Sequence, residues 1–221
     1  MKVKKIVFDL DNTLIDHSFS FHKTLLDIFP HGKNDNISFE EFYNQVNLKS
    51  KELWCGFEKG EFNLDKALNL RSEFISSLLH SPVDHIHNLY FKLYINNSHS
   101  YLGVSSLLGR LKENYSLIMC TNGLENIQSI KLKKNNLFHY FESIYYGNEH
   151  PYTKPNLCIF KKIIRNEDCK PGEMIFIGDS INNDITPAQK MGLKTIHINN
   201  NRLKNGTLQW KKIIQEIECF A

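Results

Sequence analysis

The chain has 221 residues, 41% of them hydrophobic, and a formal net charge of +3, which is enough apolar content for one full core and a smaller second one. A charge so close to balance, with no long single-sign block, excludes a nucleic-acid polymer as the expected partner and leaves room for a small anion. No segment reaches the roughly eighteen apolar residues of a membrane span, and the apolar run behind the basic start "MKVKK" is too short for a secretory signal, so a cytoplasmic protein is expected.

The first predicted element is "KIVFDL" (residues 5–10), a short apolar strand that runs into two carboxylates, Asp9 and Asp11, separated only by Leu10. From about Asp16 to Ser98 no convincing strand occurs. A Ser38-x-x-Glu41 capping box opens one helix there, and Asn63 caps another that carries Leu64, Ala67, Leu68 and Ile75. Ile86, Leu89, Tyr90, Leu93 and Tyr94 mark a third by their spacing. Residues 16–98 therefore read as an all-helical insertion, expected over the sheet end that carries Asp9. Its candidate specificity loop is "CGFEKGEF", bracketed by Gly56 and Gly60.

Beyond the insertion, helical patterns and strand-like runs alternate. Val104, Leu107, Leu108 and Leu111 precede the run "SLIMCT"; Ile127, Ile130 and Leu137 precede "SIYYG"; Leu157, Phe160, Ile163 and Ile164 precede "MIFIGD"; Ile185, Ala188 and Met191, stopped by Gly192, precede "KTIHIN". This rhythm implies crossover connections and hence an open α/β fold, a parallel sheet covered by helices on both faces. Residues 1–15 and 99–221 form that core. The five cysteines, Cys55, Cys120, Cys158, Cys169 and Cys219, are scattered without a C-x-x-C pair and read as reduced.

Ligands of open α/β sheets gather beyond the carboxyl ends of the strands. The residues there are Asp9 and Asp11; Thr121, Asn122 and Gly123; Lys154 and Pro155; and Gly178, Asp179, Ser180, Asn183 and Asp184. Two carboxylates about 4 Å apart repel by roughly 4 kcal/mol at an effective dielectric near 20, so a cation is expected among them. Hard oxygen donors without histidine or thiolate favour Mg²⁺. Asp9 and Asp179 are the expected ligands, with Asp184 adding a ligand or supporting the metal waters. Asp9 is the candidate nucleophile toward phosphorus and Asp11 the candidate acid/base. Thr121 and the backbone N–H groups near Asn122 and Gly123 offer donors to the phosphoryl oxygens, and Lys154 offers charge. Pro155 is expected in the first turn of the helix that follows.

With these residues assembled, the chain resembles the haloacid dehalogenase-like phosphohydrolase superfamily. "DLDNT" is similar to its first motif, Thr121 in "CTNG" to its second, Lys154 in "TKPN" to its third and "GDSINND" to its fourth. The resemblance implies a Rossmann-like core, Mg²⁺ dependence and an aspartyl-phosphate formed on Asp9, with the backbone carbonyl of Asp11 as a further metal ligand. It likewise implies that the helical insertion is a mobile cap that closes over a small phosphorylated metabolite. Dehalogenases of the superfamily lack the second acid of the first motif, so Asp11 points to a phosphatase. The stretch "TNGLENIQSIKLKKNNLFHYFESIYYGNEH" is similar to the subgroup of pyrimidine 5′-nucleotidases. One departure is "HPYTKPN", where many relatives place a glycine shortly before the lysine.

The expected function is thus Mg²⁺-dependent hydrolysis of a phosphomonoester, with a nucleoside 5′-monophosphate as the expected substrate. A sugar-phosphate phosphatase or a phosphomutase is the alternative among enzymes. A receiver-like or non-catalytic phosphate-binding domain is the alternative outside them. The pattern carries no signal for oligomeric state.

Overall fold

The first strand, β1 (Lys5–Phe8), is extended because its residues have somewhere to go on both sides: Ile6 and Phe8 enter one apolar layer and Val7 the other, all fully buried. The structure is a computed structural model describing residues 2–34, 36–198 and 207–220. Residues 1–16 and 99–221 form one compact unit and residues 17–98 another.

The 17–98 unit is helical: α1 (His17–Ile28), α2 (Phe39–Glu58), α3 (Leu64–Leu79) and α4 (Val83–Asn96). Ser38 caps α2 by accepting the Glu41 N–H at 3.2 Å, and Asn63 caps α3 by accepting the Lys66 N–H at 2.9 Å. Helix α1 is not singled out in the sequence; it follows Asp16 directly, and Phe21, Leu25 and Ile28 fall on its buried face. The expected specificity loop is half helix, since Cys55–Glu58 complete α2. Gly56 is needed there because a Cβ would stand 2.6 Å from the Phe62 ring.

The remaining elements follow in the order α5 (Val104–Lys112), β2 (Ser116–Thr121), α6 (Glu125–Lys134), β3 (Ser143–Tyr146), α7 (Leu157–Asn166), β4 (Met174–Gly178), α8 (Thr186–Lys190), β5 (Lys194–His197) and α9 (Thr207–Phe220). The expected run "KTIHIN" ends on Asn199, outside the described residues. Every strand pairing is parallel and the strand order is β3-β2-β1-β4-β5, with β1 in the centre. One face packs against Leu107 and Leu111 of α5 and Trp210, Ile213 and Ile217 of α9; the other packs against Ile159, Phe160 and Ile163 of α7 and Ala188 of α8. Burial on both faces explains why the strands read as continuous apolar runs.

Two sequence expectations are corrected in this unit. Pro155 precedes the first turn of α7, whose cap is Asn156 accepting the Cys158 N–H at 2.9 Å. The stripe Ile127, Ile130 and Leu137 does not face the core as a set: Ile130 is exposed, and the buried residues of α6 are Gln128, Lys131 and Leu132. Among the described residues no helix is long and apolar enough to cross a membrane, and the five cysteines are free.

At the edge of the core a charged network closes the C-terminal end of α7. Glu167 accepts from Lys5 Nζ at 2.8 Å and from Tyr145 Oη at 2.7 Å. Burial works against its charge, but the bonds from Lys5, Tyr145 and Ser143 win and hold its carboxyl below the ordinary value of 4.5. Its stabilising contribution is therefore complete above pH 4.5 and is lost as the pH falls through the lower folded value. Glu167→Gln should destabilise the fold by about 1–3 kcal/mol at pH 7, and the gap between variant and wild type in urea melts should shrink at acid pH. A gap that stays constant down to pH 3 would contradict this account.

Candidate active site

Beyond Phe8 the chain continues the ladder for one residue, with the Asp9 N–H donating to the Ile177 carbonyl at 2.9 Å. It then turns sharply: the Leu10 carbonyl accepts the N–H groups of Leu14 and Ile15, and Asn12 adopts a left-handed φ of 61°, a conformation asparagine tolerates better than most residues. Leu10 is fully buried and anchors the turn in the core. Asp9 is buried beside it, whereas Asp11 is half-buried.

The ends of β1 and β4 and the loop after β3 meet at Asp9. Thr13 donates to Asp9 Oδ2 at 2.8 Å, and Lys154 Nζ lies 2.7 Å from both Asp9 Oδ1 and Asp184 Oδ1. The carboxylates of Asp9, Asp179 and Asp184 each bring an oxygen within 4.8 Å of the others. Burial, then the neighbouring Asp184 charge, raises the Asp9 carboxyl to about 6 despite Lys154. Burial together with Asp9 and Asp184 raises Asp179 to about 8. Lys154 stays charged: burial disfavours its ammonium, but Asp184 and Asp9 hold it well above its ordinary value. Three crowded acids against one ammonium leave an excess of negative charge, and all the donors are hard oxygens. That set fits a divalent cation such as Mg²⁺.

Backbone geometry fixes the remaining parts. The Asn122 side chain grips the Lys154 backbone from both sides, donating to its carbonyl at 2.7 Å and accepting its N–H at 2.9 Å. A phosphoryl contact from Asn122 would therefore come from its backbone. Gly147 leaves room for that amide, since a Cβ there would lie 2.6 Å from Asn122 Oδ1. In the loop where relatives place a glycine, Thr153 is fully buried and donates to the Gly147 carbonyl at 3.1 Å. At the fourth corner Ser180, not Asp184, caps the π-helical turn Ile181–Ile185. Asp184 accepts the Ser180 N–H at 3.1 Å, and a Cβ on Gly178 would overlap its carboxylate.

Four side chains at the site escape the sequence reading. Thr13 lies inside "DLDNT" and is visible only once its bond to Asp9 is known. Gln128 Nε2 donates to Asp11 Oδ2 and to Thr121 Oγ1, each at 2.8 Å, and Lys131 Nζ pairs with Asp11 Oδ1. Their spacing of three residues puts them on one helix face, a signal hidden by the apolar pair Ile127 and Ile130. Tyr101 is the fourth; burial and the charges of Asp16, Asp179 and Asp11 push its phenol upward. Cys120 is no nucleophile, because burial pushes its thiol up to about 12.

Several known proteins are similar to this chain. Pyrimidine 5′-nucleotidase PynA of Streptococcus pneumoniae is 26% identical over 94% of this chain and 88% of its own length. Glyceraldehyde 3-phosphate phosphatase of Pyrococcus furiosus is 28% identical over 96% of this chain and 87% of its own. Among solved structures, magnesium-bound YfnB of Bacillus subtilis shares the fold with a TM-score of 0.80 at 22% identity, covering 90% of this chain and 89% of that one. The sequence model of haloacid dehalogenase-like hydrolases matches residues 6–198. The five-stranded parallel sheet, the four strand-end motifs and that match lead to one conclusion: the chain belongs to the haloacid dehalogenase-like hydrolase family.

Proposed function

We propose that the protein is a Mg²⁺-dependent phosphomonoesterase that works through an aspartyl-phosphate on Asp9, with a nucleoside 5′-monophosphate as the favoured substrate. The observation that carries this reading is the meeting of Asp9, Asp179 and Asp184 around Lys154 Nζ, 2.7 Å from two of them. Asp9, Asp179 and Asp184, with the Asp11 carbonyl, would hold the metal, which when bound neutralises charge and polarises the phosphoryl group. An oxygen of Asp9 attacks phosphorus as the ester P–O bond breaks. Asp11 gives its proton to the departing alkoxide, then takes one from the water that hydrolyses the aspartyl-phosphate. Thr121, the backbone at Asn122 and Gly123, and Lys154 hold the phosphoryl oxygens.

Family membership favours this chemistry over the receiver-like alternative. The nucleotide is favoured by the PynA relative, and a sugar or triose phosphate is the second reading because of the Pyrococcus furiosus relative. The helical insertion, residues 17–98, is the part proposed to cap the site and select among them.

Phosphate release from a panel of nucleotides, sugar phosphates and triose phosphates, with Mg²⁺ and with EDTA, tests the proposal. Release that needs Mg²⁺ and is fastest with a pyrimidine nucleotide is expected; no release from any ester would overturn the reading. Asp9→Asn should lower kcat on the order of 10³-fold or more, a loss of several kcal/mol of transition-state stabilisation. An activity above a few per cent of wild type would sink Asp9 as the nucleophile. Gly178→Ala should push the Asp184 carboxylate aside and weaken Mg²⁺ activation by about tenfold, read as a rise in the Mg²⁺ concentration that gives half-maximal rate.

A further inference from the structure

The face that α6 turns inward is polar where a packing helix would be apolar. Gln128 is 3% exposed and Lys131 is fully buried, while Lys133 and Lys134 on the same helix are exposed. A lysine does not bury its ammonium without a specific partner. Here the partner is Asp11, whose two oxygens are held separately, Oδ1 by Lys131 and Oδ2 by Gln128. The same Gln128 nitrogen also donates to the Thr121 hydroxyl, so one amide links two corners of the site. That amide stays donor-first toward Asp11 although Gln128 Oε1 is left buried with no hydrogen-bond partner among the described residues. The chain is also built to let Gln128 through, because a Cβ on Gly123 would overlap its side chain.

We propose that Gln128 and Lys131 are positioning residues that fix the plane and place of the Asp11 carboxyl for proton transfer and tie it to the Thr121 corner. The inference rests on the phosphatase reading, with Asp11 as acid/base. Asp11 is only half-buried and sits in a turn next to a left-handed residue, and the two donors from α6 each fix one of its carboxyl oxygens. Proton transfer requires the acid within hydrogen-bond reach of the departing oxygen. In that step the Asp9–phosphorus bond forms, the ester P–O bond breaks, and the proton moves from Asp11 to the leaving oxygen. A phenolate of low basicity departs without that proton; an alkoxide does not.

The test compares Gln128→Met and Lys131→Met with wild type in the full chain, with Mg²⁺, on p-nitrophenyl phosphate and on a nucleoside 5′-monophosphate. If wild type does not turn over the nucleotide, glyceraldehyde 3-phosphate takes its place. The quantity read is kcat/KM, which reports the steps up to departure of the leaving group. The variants should lose roughly 10²-fold on the alkyl ester and less than about tenfold on p-nitrophenyl phosphate. Equal losses on both esters, or no loss, overturn the positioning role, because a merely structural role lowers both alike. If Lys131→Met does not fold, Gln128→Met decides, its folded state checked by thermal melting. A wild-type chain inactive on all three esters overturns the phosphatase reading and this inference with it; an active wild type with equal losses overturns this inference alone.

Discussion

Three carboxylates crowd one buried ammonium, and the rest of the catalytic unit is arranged around that imbalance. Asp9 and Asp184 share Lys154 Nζ at 2.7 Å, and Asp179 completes the group within 4.8 Å. One positive charge does not balance three negative ones at such close range, so burial and mutual repulsion favour protonation of the acids. Asp9 rises to about 6 and Asp179 to about 8. This strain is tolerable because the charges are attached to the most constrained part of the molecule. Asp9 follows the central strand, which is hydrogen-bonded on both sides and buried on both faces.

The frame that keeps these groups together is made largely by what is missing. At the ends of β2, β3 and β4 stand Gly123, Gly147 and Gly178, and a Cβ at each would collide with the side chains of Gln128, Asn122 and Asp184 respectively. Each glycine admits one polar side chain to the sheet end at a distance that any other residue would prevent. Asn122 in turn grips both sides of the Lys154 backbone, so the lysine arrives as part of a fixed loop with its long side chain already committed. Preorganisation of this kind is what electrostatic stabilisation of a phosphoryl group requires.

Much of this was legible in the sequence, for a physical reason. The strands are buried on both faces, so their residues read as unbroken apolar runs, and a run that stops on Asp, Thr or Gly marks the edge of the sheet where ligands bind. Asp9, Thr121 and Asp179 are singled out that way, while Lys154 is singled out by its place before Pro155 in the loop after the third strand. What escaped depends on direction rather than composition. In α6 the apolar residues Ile127 and Ile130 suggested the buried face, but the helix turns Gln128, Lys131 and Leu132 inward because Asp11 and Thr121 wait there. Helix α1 carries no acidic residue in its first turn and is not singled out, although Asp16 stands directly before it. Pro155 was read as helix-initiating, yet Asn156 supplies the cap.

Asp9 and Asp11 are two residues apart and chemically identical, so their proposed division of labour must come from their surroundings. Leu10, buried in the core, and the left-handed turn at Asn12 break the extended geometry between them and send the two carboxylates to different partners. Asp9 answers to β4 and to the loop before α7, through Asp184 and Lys154; Asp11 answers to α6, through Gln128 and Lys131. The proposed nucleophile is thereby placed among competing acids in the buried centre, and the proposed proton carrier at the half-exposed margin. Environments that set two carboxyls apart are a general way to obtain one attacking group and one proton donor from the same residue type. The two sets of partners sit on separate elements, so the two carboxyls are oriented by different parts of the fold.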